Sequence, residues 1–343
     1  MHRKLPYIIS LLLIPARLWS QDPDVTVSQP SLNFDITYLK SYSDLLSLKF
    51  YGVTKSNQII LSDDFIEELL IHQPNEQFNI GFGFNYKWLG LDLAFNFPFI
   101  NDDDELYGKT SRLDVQSNVY TRRFAVDFNF QRYKGYHLRN PEVYVPTWDP
   151  KNPVYPLRPD IRSSNISGNF FYIFNHKKFS YRSTFVFNER QLKSKGSWLA
   201  GAYIGYFTMM AEDSLVPEEL RADVNPDNNY KETTFFSAGL SFGYAHIFVI
   251  KKKFFWTPTL AIGIGPEVRT VGNKGDADYR NTTEAGSKIF FRTALGYNSD
   301  RSFFGITAVA ETVGAGDENE SFLQHSVNNL RLFYGRRFNV GKK

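Results

Sequence analysis

The chain has 343 residues, with 39 Lys and Arg, 36 Asp and Glu, no cysteine, 32 Phe and 20 Tyr. Without cysteine there is no disulfide, thiolate metal site, cysteine nucleophile or lipidated N-terminal cysteine. No apolar run approaches the roughly 18 residues of a membrane-spanning helix, so helical spans are excluded.

The first residues read as an export leader. His2, Arg3 and Lys4 form a positive start, residues 7–14 a short apolar run, and Ser20-Gln21 a cleavage point. Removing residues 1–20 takes away Arg3, Lys4 and Arg17 and leaves 36 (39 − 3) basic residues against 36 acidic ones. That balance argues against nucleic acid as a partner. Residues 21–43 lack a strong pattern and read as a periplasmic lead-in; 44–343 read as one barrel domain.

The clearest local pattern is at 78–97. Phe78, Ile80, Phe82, Phe84 and Tyr86 alternate with Asn79, Gly81, Gly83 and Asn85. After a turn expected at Leu89-Gly90, Leu91, Leu93, Phe95 and Phe97 alternate with Asp92, Ala94 and Asn96. Period two with one aromatic face and one polar face predicts a hairpin of a transmembrane barrel, apolar outward and polar inward. The pattern recurs at 113–119, 124–130, 236–248, 254–264, 289–297 and 330–338. Phe179, Tyr181, Phe185 and Phe187 look like one more apolar strand face. Short connections at 120–123, 175–178, 250–253 and 299–301 contrast with long polar ones at 99–110, 134–159, 211–230, 267–286 and 314–325. Short turns on one side and long loops on the other are the asymmetry of outer-membrane barrels. The prolines at 141, 146, 150, 153, 156 and 159 should keep the longest loop out of the sheet. The expected fold is all-β, an antiparallel up-and-down transmembrane barrel of 12 strands (range 10 to 14), an even number favouring closure. A soluble barrel would carry the reverse polarity, apolar inside.

Several stretches are ordered and spaced as in an uncharacterised family of Bacteroidota outer-membrane proteins, a domain of unknown function, which the chain resembles over roughly 40–270. They are Ser41-Tyr42-Ser43-Asp44, Gln73-Pro74-Asn75, Tyr133-Lys134-Gly135-Tyr136, Arg158-Pro159-Asp160, the run from Phe174 to Arg182, and Gln191 to Ser197. In the last of these Lys195 stands where the family's Ser-Ala-Gly-Ser has Ala. The resemblance implies an outer-membrane barrel and brings no catalytic residue.

No His-Glu-x-x-His or Gly-x-Ser-x-Gly occurs, so no enzymatic activity, cofactor or metal is expected. His246 continues an apolar face and reads as an interfacial aromatic. Residues 223–229 begin like a calcium loop, but the sixth place is Asn228 and the twelfth Thr234, so a solvated loop is expected. Asp92, Asn96, Arg112, Asp114, Gln116, Asp127, Gln131, Arg331 and Arg337 are candidates to line a pore. The leading expectation is a passive, porin-like channel in the cell outer membrane for a small polar solute. The alternative is a closed barrel whose loops, with Tyr144, Trp148 and Tyr155, bind a partner or glycan. Outer-membrane lipid and lipopolysaccharide should surround it. Its aromatic-ended C-terminal strand should be read by the barrel assembly machinery.

Overall fold

The computed structural model describes residues 33–340, except 64–65, 87–88, 98, 144, 146–147, 152, 227–228, 273–278 and 316–321. The expected leader and most of the lead-in therefore lie outside the described residues. The strands are β1 (Leu39–Ser41), β2 (Leu46–Asp63), β3 (Ile66–Gln73), β4 (Phe78–Tyr86), β5 (Leu89–Asn96), β6 (Ser111–Tyr120), β7 (Phe124–Leu138) and β8 (Leu157–Ile173). They continue with β9 (Glu189–Gln191), β10 (Lys195–Met210), β11 (Glu232–Ile250), β12 (Phe254–Gly272), β13 (Arg280–Asn298), β14 (Ser302–Ala315) and β15 (Phe322–Phe338).

Neighbouring strands are antiparallel. Ten of them close a hydrogen-bonded circuit: β2, β15, β14, β13, β12, β11, β10, β8, β7 and β3, which returns to β2. Three more attach to it: β4 on β2, β5 on β4, and β6 on β7. The expected twelve strands are thus approximate. Residues 45–62, which look like two segments, form the single strand β2. β3 carries no alternating signature and was invisible to period two; it meets β7 through only His72↔Leu138 and Gln73↔His137. The hairpin of β4 and β5 pairs Tyr86 with Leu89, so Leu89 and Gly90 belong to the second strand and not to the turn.

The polarity of the wall follows the expected phase. Phe82, Leu93, Phe95, Leu240, Ile262 and Leu332 are exposed on the outside, while Asp127, Gln131, Lys288, Arg292 and Glu311 are buried inside. A soluble barrel would reverse this. His246 stacks on Phe248 at 4.3 Å along the outer aromatic band. β11, β12 and β13 have 19 residues each. A lipid-crossing strand needs only about 9–11 residues, so each of these is longer than a bilayer crossing requires.

Two expectations fail for local reasons. Phe179, Tyr181, Phe185 and Phe187 do not form a membrane strand. They lie in a compact excursion between β8 and β10, built from turns, a helical turn at Arg182–Phe185 and β9, with Phe179 and Phe187 fully buried. An aromatic run two residues apart satisfies a strand template, but here it packs on other rings inside. Pro159 lies within β8, not in the loop. The β7–β8 register shifts between Lys134 and Tyr136, so no ladder donor is needed beside Pro159. Gly135 sits at that irregularity with φ +92°, and a Cβ there would lie 2.3 Å from the Lys109 carbonyl oxygen.

Candidate functional site: a polar interior closed at both ends

The inward residues form ion pairs, not a free wall. Arg292 donates to Asp127 at 2.9 Å and to the Tyr120 hydroxyl, which itself donates to Asp127 at 2.6 Å. Lys288 meets Glu311 at 3.1 Å, and Asn169 donates to both Glu311 oxygens. Asp114 accepts from Lys55 at 3.0 Å, Gln131 at 3.1 Å and Tyr133 at 2.7 Å, and Asn165 donates on to Gln131. Asp92 accepts from Lys49 at 2.7 Å and Arg331 at 3.2 Å. Asn96 and Arg112 both donate to the Gln77 side chain. Buried charges persist only when paired in this way. A cavity of about 30 Å³ beside Lys288, Glu311, His325 and Tyr203 has room for about one water molecule.

Of the nine expected pore-lining residues, seven thus join charge or amide networks along the wall. Gln116 is half-buried on β6. Arg337 sits elsewhere, at the turn end. It donates to the Phe187 carbonyl, the Ser299 carbonyl and Asn298, and lies over the rings of Tyr42 and Phe303. It clamps the turn end, where β15 finishes beside the 174–194 excursion.

That excursion plugs the turn end. Phe187 stacks on Phe303 at 4.7 Å and meets Phe333 in a tilted contact at 4.6 Å. Ser180 donates to Glu189 at 2.5 Å, and Glu189 pairs with Arg122 at 2.7 Å and Arg182 at 3.2 Å. Gln191 ties the excursion together by donating to the Lys178 and Lys193 carbonyls, and Asn175 ties it to β10 by donating to the Gly196 carbonyl. β1 pairs with β9, and Tyr42 and Lys40 donate to Asp300 in the β13–β14 turn at 2.7 and 2.6 Å. Those two bonds hold the Asp300 carboxyl down at about 2. A depressed carboxyl stabilises above its unfolded value, near 3.9. The lead-in should therefore stay docked at neutral pH and be released as pH falls from about 4 toward 2. Proteolysis after residue 40 at neutral pH, no faster in Asp300→Asn than in the wild type, would contradict this.

At the loop end a lid closes the interior. Leu215, Val216, Val224 and Tyr230 pack with Ile59, Leu61, Leu70, Phe207 and Phe235. The Arg158 guanidinium pairs with Asp160 at 2.8 Å and donates to the carbonyls of Ser214 and Asp213. His72 meets the Leu215 carbonyl at 2.9 Å, and His325 meets Asn57 at 3.2 Å. Trp148 and Tyr155 lie 5.9 Å apart, and Tyr155 and Tyr107 5.0 Å apart, in an aromatic cluster by the lid; Tyr144 lies outside the described residues. So do Asp227 and Asn228 of the calcium-like stretch. Among the described residues no group of three or more His, Asp or Glu is placed to hold a metal.

The stretches that carry the family resemblance are these same ties: Tyr42 on Asp300, Asn75 bonded to Asp103 and Asp104, Gly135 at the bulge, Arg158-Pro159-Asp160 under the lid, and 174–182 in the plug. Their spacing marks residues that tie the turns, loops and strands to one another.

Among solved structures, the chain is similar to the outer membrane protease OmpT from Escherichia coli, at 9% identity over 87% of this chain and 98% of that one, with a TM-score of 0.40. It is also similar to the translocator domain of the autotransporter NalP from Neisseria meningitidis (10%, 85% and 88%, 0.33) and to OprG from Pseudomonas aeruginosa (7%, 89% and 100%, 0.23). At these scores nothing is carried over from these structures to this chain. No curated protein matches the chain. The model of the family described as "Domain of unknown function (DUF4421)" matches residues 33–338, and the chain belongs to that family.

Proposed function

We propose that this protein is an outer-membrane barrel with a closed lumen, acting through its surfaces and not as a passive pore. The observation that carries this is occlusion at three levels: the plug around Phe187, the paired charges in the middle, and the lid around Leu215. The apolar outer face and aromatic bands support membrane placement. A porin-like conduit for small polar solutes has less support, since the polar residues that would line it are bonded to one another. The half-buried rings of Tyr107, Trp148 and Tyr155, backed by the buried His137, form the surface best suited to stacking on a partner or a sugar.

Reconstituted in a planar bilayer, the intact protein is expected to insert and to show no conductance above background. Stepwise currents from the unaltered chain would overturn the closed reading. Co-fractionation with outer membrane and heat-modifiable migration in detergent gels test the placement independently. Replacing residues 141–156 by a short Gly-Ser linker should spare insertion and abolish retention of lipopolysaccharide; retention at the original level would remove the loop as the contact surface.

A further inference from the structure

β5 and β6 are consecutive in the wall, yet among the described residues no backbone pairing joins them: β5 bonds only to β4, and β6 only to β7. Gln77 ties their loop-side ends by accepting from Asn96 and Arg112. Below that tie each strand presents an open edge at membrane depth, where unpaired peptide groups require a partner. All of residues 91–96 are exposed, the inward Asp92 included.

Charge makes the seam more than a gap. Lys49, Lys55, Arg112 and Arg331 gather behind it against two carboxylates, Asp92 and Asp114, an excess of two positive charges (4 − 2). The sealed pairs differ: Arg292 and Asp127 are 5% and 4% exposed, whereas Arg331 and Asp92 are 24% and 30%. Arg331 Nε has no hydrogen-bond partner. Leu91, Leu93, Leu113 and Val115 flank this opening with lipid-facing side chains. Partly exposed cationic side chains beneath an apolar rim match an amphiphile whose head is anionic and whose tail stays in the bilayer.

We infer that the β5–β6 seam is a lateral binding site for an anionic phospholipid, its phosphate reaching Arg331 and Arg112 and its acyl chains lying along Leu93 and Leu113. The site rests on membrane placement but not on the loop reading, so fractionation failure and seam failure are separate results.

The test uses the full chain in detergent, exchanged with mixed phosphatidylglycerol and phosphatidylcholine, with retained lipid read by native mass spectrometry. The wild type should retain phosphatidylglycerol preferentially. Arg112→Gln with Arg331→Gln should lower that retention at least tenfold while heat-modifiable migration persists. Lys251→Gln with Lys252→Gln, in the exposed β11–β12 turn, should leave it unchanged. Loss in the turn variant alone would overturn the inference, as would equal retention of phosphatidylcholine or full competition by inorganic phosphate. In this cysteine-free chain, efficient disulfide dimerisation of Leu93→Cys would overturn it too, by placing a second copy over the seam.

Discussion

Asp127→Asn is expected to destabilise the barrel by about 3–5 kcal/mol, the cost of leaving a buried charge without its counter-ion. Arg292 is nearly inaccessible, and Asp127 is its carboxylate partner, at 2.9 Å. The guanidinium also lies between the rings of Tyr120, Phe185 and Phe290, at 5.4, 5.0 and 4.9 Å. It therefore cannot swing to water. Urea unfolding of the vesicle-inserted protein, followed by tryptophan fluorescence, measures the loss. The double variant Asp127→Leu with Arg292→Met should recover most of it, because both charges go together and apolar volume remains. A double variant as unstable as Asp127→Asn would mean that the pair is not the source of the effect.

Phe187 carries the second large effect. Its φ is +64°, in the left-handed region that disfavours any residue with a Cβ. The conformation is held by rings on two sides and by Arg337 bonded to its carbonyl. Truncation to Ala should cost about 3–5 kcal/mol through lost burial and the void left behind. Phe187→Gly should be no worse than Ala and up to about 1 kcal/mol better, since glycine alone relieves the backbone. This reverses the usual order inside a folded element. Proteolysis of the plug and urea midpoints check both variants. If Ala proves clearly more stable than Gly, the left-handed backbone at this position is wrong.

Both effects arise where sequence reading went astray in an informative way. Asp127 and Arg292 were each readable as inward by phase, but nothing in the chain linked residues 165 positions apart. Phe187 was readable as apolar, and its period-two neighbours made it look like a lipid-facing strand. What turned it inward was the set of rings from β14 and β15, a long-range contact with no local signature. β3 was missed for the opposite reason: its Glu and His residues break alternation, so no period-two signal marks it.

By itself the sequence determined the phase of the wall. Strand geometry sends alternate side chains to opposite faces, so Phe82 and Leu93 outward and Asp92 inward follow from spacing alone. It also determined the side bearing long loops and the absence of cysteine. Only the tertiary structure decided what the inward side chains meet. Period two assigns a charge to the inside but cannot say what it meets there. Lys288 meeting Glu311, Arg292 meeting Asp127, and the plug and lid meeting the barrel depend on distances across it. The same holds for the missing β5–β6 pairing: each strand's pattern is regular, and only their placement in space leaves a seam between them.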